Sequence, residues 1–433
     1  MPRAEAAPRL LGLGGATALV VGNMIGSGAF LLPASLAPYG AASLLGWGVS
    51  AGGAVLLALV FARLAALHPR SGGPYAYAHL VFGDAVGFAV AWCYWVAIWC
   101  ANAAIAVAFA GSLGALWPPF TATPLRAAAC ALAALWLCTA FNLRGLRTAS
   151  GVQAVTTVLK AVPLLLVGVL GLASLQRANF VPFNPSGLPL LDVTAATTAL
   201  TLWALLGLEC ATVPAEGVRD PQRTVPRATV LGTLLATALT VLACTTVLGL
   251  APAAELKASG APFAEVAQRH WGRGAAVGMA AAMALSTFGA LNGWVLMQGQ
   301  IAWAAARDGL FPAAFARTDG AGTPRVGLLA GSVLASLLVA ANFGGSLVQL
   351  FTWSILLSTA ATLLPYLVTA AAALRLALRR RGGLRVPHGV VAALALAYSV
   401  WALAGTGREA LLWFGGLLLA GLPLYLLQRR GGA

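Results

Sequence analysis

VVGNMIGSGAFLLPASL, residues 20–36, is apolar enough to enter a lipid bilayer, yet its centre holds Asn23, Gly26, Ser27 and Gly28. A helix cut at mid-depth leaves N–H and C=O groups unpaired. In hydrocarbon that is tolerated only where they face a cavity, other protein or a ligand. The flanking apolar halves reach across a bilayer only together, so residues 11–36 read as one interrupted span. The competing reading is a helix-packing face made by Gly22 and Gly26, a G-x-x-x-G pair.

The rest of the chain sets that segment among many like it. Of 433 residues, 60% are hydrophobic and only 9% are charged, and the mean hydropathy is +0.88. Soluble domains carry roughly 25% charged residues. A chain so poor in charge cannot cover its surface for water, so its solvent is largely lipid. The apolar runs are about twice the ten or so residues of a barrel strand, long enough for helices crossing about 30 Å. The fold class expected is an all-α membrane protein with twelve transmembrane helices. They fall at roughly 11–36, 40–66, 84–112, 125–142, 151–173, 191–215, 227–251, 274–305, 326–342, 348–374, 387–405 and 409–428.

Charge supports that count. With both termini inside, nineteen cationic side chains fall in cytoplasmic segments and six in outer ones, as the positive-inside rule requires. Much of the formal net charge of +15 is thereby explained, and no nucleic-acid partner is needed. The start, MPRAEAAPRL, has no small-residue cleavage site behind a short apolar core, so no cleavable signal peptide is expected. The six cysteines lie in apolar runs without a Cys-x-x-Cys pair. The four histidines stand near span ends without metal spacing, so no metal or cofactor is expected.

The sixth span repeats the oddity of the first. In TLWALLGLECATVP, residues 201–214, Gly207 is followed two positions later by Glu209. Spans 1 and 6 open two halves of five spans each, about 11–173 and 191–374, with 387–428 left as an extra pair. A matched pair of interrupted spans points to the binding site of an inverted-repeat transporter. The half-helix beyond Gly28 would offer free N–H groups to a carboxylate, and carbonyls before each break would accept from an ammonium. An α-amino acid head group carries both.

The motifs GNMIGSGAFLLPASLA, GGPYAYAHLVFG, WCYWVAIWCAN, LWALLGLECATV, RDPQRTVPRAT, LNGWVLMQGQ, ARDGLFPAAFAR and LLPYL together resemble the amino acid–polyamine–organocation superfamily. Within it they are most similar to the bacterial arginine/agmatine antiporters, with the lysine/cadaverine and putrescine/ornithine antiporters close behind. The resemblance covers nearly the whole chain, in the same order. It implies a five-plus-five inverted repeat with two further helices, commonly a homodimer, in a bacterial cytoplasmic membrane. It implies a head group held by Asn23, Ile25, Gly26, Ser27 and Gly28 and by carbonyls near Trp203 and Leu206. Trp203 and Trp294 match two pocket tryptophans, whose indole faces attract a cation by about 0.5–2 kcal/mol; packing alone is the alternative. Asn102 and Ser358 match polar residues aimed at a guanidinium, although Asn102 could equally bond another helix. Tyr94 and Tyr366 match gating tyrosines. Glu209, a lone acid in mid-span, reads as the element coupling pH to the gate, or as half of a structural ion pair.

Some residues depart from the arginine/agmatine pattern. Ile98 stands for a cysteine and Ile105 for a methionine, both keeping the wall apolar, and Phe88 replaces a gate tyrosine. Lys160 stands where a small apolar residue is expected. Other branches place a lysine there, as if in place of a sodium ion between spans 1 and 5. It therefore keeps a proton-coupled or exchange permease for neutral amino acids in view. Other classes fit less well. Eleven scattered acids and four isolated histidines do not cluster as an enzyme site does, no ring of residues suggests a channel filter, and a scaffold has no reason to break two spans alike.

Overall fold

The computed structural model describes residues 10–341, 347–379, 385–405 and 408–430. Arg3, Arg9, Arg380 and Arg381 of the charge count, and Asn342 at the end of the ninth span, lie outside them. Among the described residues the chain is helical, with one isolated bridge between Leu11 and Val218. The α-helices are α1 (Leu13–Met24), α2 (Ser27–Leu36), α3 (Ser43–Leu67), α4 (Pro74–Phe82), α5 (Asp84–Leu116), α6 (Pro124–Leu143), α7 (Leu146–Leu170) and α8 (Leu190–Trp203). They continue with α9 (Pro221–Leu250), α10 (Ala253–Ala258), α11 (Pro262–Trp271), α12 (Arg273–Arg307), α13 (Arg325–Ala341), α14 (Leu347–Arg379), α15 (Arg385–Gly405) and α16 (Arg408–Arg430).

Eight stretches are long and apolar enough to cross a membrane; the first, Leu13–Leu67, holds two crossings, and Leu190–Trp203, Arg325–Ala341 and Gly415–Gln428 are shorter apolar helices. Together they fall on the twelve spans expected. Lipid explains their outward faces. On α7, Val155, Val158, Leu159, Val162, Leu166 and Val169 are all exposed, at the spacing of one helical face. No aqueous surface would carry such a stripe.

Two groups of helices enclose the centre. α9 packs on α1 and α3, and α3 on α8; α12 packs on α5, α6 and α7, while α14 joins α5. Small residues bring the groups together. A Cβ at Gly22 would collide with Gln153 and Thr157 of α7, so the packing reading holds for this glycine.

Both expected breaks are present, displaced from where the sequence suggested. The first lies at Ile25–Gly26, where the backbone leaves the helical region before α2 restarts at Ser27. Ser27 and Gly28 are therefore in the first turn of α2 and not in the gap. Gly28 is small for another reason, since its missing Cβ makes room for the Trp203 ring. The sixth span stops at Trp203, four residues before Gly207. It then runs as turns through residues 204–214, with i→i+3 hydrogen bonds such as Cys210 N to Gly207 O (3.1 Å) and Thr212 N to Glu209 O (2.8 Å). Gly207 sits at φ 105°, which an L side chain rarely adopts. Its bare Cα also faces Asn23 and Trp294, at 3.2 and 3.3 Å from where a Cβ would stand.

Candidate functional site

The two interruptions meet at a cavity. The α1–α2 break supplies Asn23, Gly26 and Gly28, and the end of α8 with the turn beyond supplies Trp203 and Leu206. Ile98 of α5, Trp294 of α12 and Ser358 of α14 complete the wall among the residues expected there. Ile105, noted as a departure, lines it as well, with Met24, Ala97, Ala101, Ala204, Ala290 and Thr362. Thr362 was readable as the residue one turn after Ser358, on the same helical face. The alanines carried no signal, since a small wall residue looks like any other alanine of a span.

Other expected contacts sit elsewhere. The amide of Asn102 donates to Gln298 Oε1 (2.8 Å), and Gln298 donates to Leu328 O and Ser332 Oγ (both 2.9 Å). Asn102 is thus tied to α12, which is tied to α13, and it is not on the cavity wall. Ser358 Oγ donates to Ala97 O (2.9 Å), so its hydroxyl proton already links α14 to α5. Ile25, expected in the site, is buried and not on the cavity wall. The side chain of Ser27 lies outside the described residues; its backbone opens α2, which has no side-chain cap. The first N–H groups of that helix are therefore available to an anion.

The carbonyls at the end of α1 are already claimed. Lys160, wholly buried in α7, donates to Gly22 O, to Ile25 O (2.6 Å) and more weakly to Ser286 O (3.5 Å). Ser286 Oγ also donates to Ile25 O (3.2 Å). One ammonium thus joins α7, the break in span 1 and α12. An ammonium is a compact three-donor charge, which suits a point where several carbonyls converge.

Three residues past Leu206, the Glu209 carboxylate accepts hydrogen bonds from the hydroxyls of Tyr94 on α5 and Tyr366 on α14. The Tyr366 oxygen also accepts from Gly207 N (3.2 Å). All three side chains are buried, and Phe61 of α3 meets Tyr366 edge-on, with ring centres 5.7 Å apart. The proposed ion-pair partner for Glu209 is thus replaced by two phenols. One unwound segment is fastened by them to two helices of the surround.

Farther along, where the arginines gather, charged contacts join the segments of that end. Asp308 accepts from Arg70 (3.2 Å) and Tyr75 (3.1 Å), and Glu216 accepts from Arg307 (2.8 Å). Ser71 Oγ accepts from Glu216 N (3.0 Å). Among the described residues no cluster of His, Cys, Asp or Glu is gathered to hold a metal.

With this geometry, similarity to known proteins is decisive. The family model described as amino acid permease matches residues 11–416. The chain belongs to this family. It is a multi-pass membrane transporter of the amino acid–polyamine–organocation superfamily, not an enzyme. The permease is 34% identical to the cadaverine/lysine antiporter of Escherichia coli K12, covering 82% of this chain and 81% of that one. It is 31% identical to a putrescine transporter of Haemophilus influenzae, covering 94% of each. A Bacillus subtilis (strain 168) protein, provisionally named an arginine/ornithine antiporter, is 33% identical across 94% of the permease and 95% of its own length.

Proposed function

We propose that the permease exchanges a cationic amino acid for a related amine across a bacterial cytoplasmic membrane by alternating access, with arginine and agmatine as the first pair to test. The observation that carries this reading is the cavity where two interrupted spans meet between two indoles, Trp203 and Trp294. The N–H groups opening α2 take the carboxylate. Carbonyls of residues 203–206 take the α-ammonium, because those of Gly22 and Ile25 are held by Lys160. The side-chain cation lies against the indoles, where desolvation strengthens the attraction. Asn23 and Ser358 position the ligand and Ile98 shapes the wall, while Asn102 steadies it from behind through Gln298. Tyr94, Tyr366 and Glu209 form the gate, with both termini and the arginine-rich end cytoplasmic. The halves 11–173 and 191–374 act as inverted repeats, and the assembly is a homodimer. The bundle of spans 1, 2, 6 and 7 rocks against its surround. The relatives whose names include arginine, lysine and putrescine support the amine class.

Lys160 favours a second reading, a proton-coupled or exchange permease for neutral amino acids. Counterflow in proteoliposomes separates the two, with labelled arginine inside and a panel of unlabelled amino acids and amines outside. Arginine efflux driven by agmatine, and abolished by Trp294→Leu, supports antiport. Exchange driven by alanine or serine but not by any amine overturns it in favour of the second reading.

A further inference from the structure

A second cavity lies at the arginine-rich end. It is bounded by the end of α6 at Asn142, the last turns of α12 at Gln300 and Trp303, the segment holding Glu216, and the loop holding Thr323. Asn142 and Thr323 are 1% and 4% exposed, and their Oδ1 and Oγ1 atoms have no hydrogen-bond partner. A buried polar atom without a partner is uncommon and calls for water or a ligand.

The orientation of Asn142 is fixed. Its amide nitrogen donates to Cys138 O (2.9 Å), Asn292 O (3.2 Å) and Asn292 Oδ1 (3.2 Å). Turning the amide over would set oxygen against oxygen three times. Asn292 donates onward to Ala149 O (2.9 Å) and Gln153 Oε1 (3.4 Å), Gln153 to Asn23 Oδ1 (3.2 Å), and Asn23 to Cys210 Sγ (2.9 Å). The whole row of amides points one way, so Asn142 presents an oxygen that can only accept.

The occupant must therefore bring N–H or O–H donors. Glu216 adds a carboxylate that disfavours an anion, and two arginines of this end are already engaged, Arg307 with Glu216 and Arg325 with Asp319, both at 2.8 Å. Leu146, Leu296 and Leu328 supply apolar wall for methylenes. Three acceptors of differing character and an apolar flank match the three N–H donors and carbon chain of a primary alkylammonium. The geometry points to a second binding site here, separate from the central cavity, for the ammonium end of an aliphatic amine. That this amine is also the transported one rests on the antiport reading above.

Equilibrium binding of labelled agmatine to the purified permease in lipid nanodiscs tests this. Two sites are expected in the unaltered protein. Trp294→Leu should remove the central one and leave the second. Thr323→Val, which keeps the side-chain shape, and Asn142→Leu should weaken the second about tenfold or more while the central one remains. The threonine variant keeps the test decisive if the asparagine variant does not fold. A single site lost in Trp294→Leu and untouched by Thr323→Val overturns the inference, leaves antiport standing, and assigns the cavity to water. Two sites of which Trp294→Leu removes neither, while Thr323→Val weakens one, support the second site and sink the central reading. No agmatine binding at all overturns both.

Discussion

Among the described residues, Lys160 and Glu209 are the base and the acid buried at the centre of this permease, and each is held by groups that suit its charge. Replacing Lys160 with alanine leaves the buried Gly22 carbonyl without its ammonium donor, at about 1–3 kcal/mol, while Ile25 O keeps only Ser286 Oγ. A lowered thermal midpoint is expected, together with uptake well below that of the unaltered protein. If both measurements match the unaltered protein, the break in span 1 does not depend on this side chain. Glu209→Gln keeps an oxygen for one tyrosine but turns an NH2 toward the other. Losing that charged hydrogen bond is expected to slow exchange about tenfold and to flatten its dependence on external pH. A pH profile that overlays the unaltered one removes Glu209 as the sensor.

At the scale of elements, the spans were legible because lipid demands long apolar runs, and twelve runs are what the sequence contains. The breaks were legible as disturbances but not to the residue. Gly26 and Gly28 look alike in a sequence, yet one sits in extended backbone and the other makes room for an indole arriving from α8. Nor could the span-6 pattern say that the chain after Trp203 fails to resume an α-helix. That depends on Gly207 at positive φ and on Tyr366 holding its N–H. Asn102 was visible as a costly polar residue, but its partner Gln298 is 196 positions away. The loop between α12 and α13 makes its own prediction. Asp319 accepts from the backbone N–H groups of Thr323 and Ala321 (2.9 Å each) and from Arg325 (2.8 Å). These contacts, the Thr323 N–H foremost, hold its carboxyl below the ordinary range. The stability it gives is complete at neutral pH and disappears as the pH falls through that lowered value. Asp319→Ala should therefore modestly lower the thermal midpoint at neutral pH and make no difference in strong acid. An equal loss at both pH values would contradict the linkage.

For the molecule as a whole, the segments at the arginine-rich end are joined by partly exposed ion pairs such as Arg307–Glu216, with side chains 43% and 33% exposed. Such pairs are worth about 0–1 kcal/mol, enough to bias two conformations without locking either. Arg307→Gln should thus raise hydrogen exchange across residues 68–74 and 213–217 while the helices keep their protection; unchanged exchange there would mean that the pair holds nothing shut. Lys160 has a different consequence at this scale. Its nitrogen is fastened to the chain by covalent bonds, so unlike a bound sodium ion it cannot leave for either compartment, and no sodium concentration difference acts on it. A carrier that keeps its cation on a leash cannot draw work from a sodium gradient through that position. Uptake in choline medium should therefore equal uptake in sodium medium; a sodium requirement would place the coupling ion at another position.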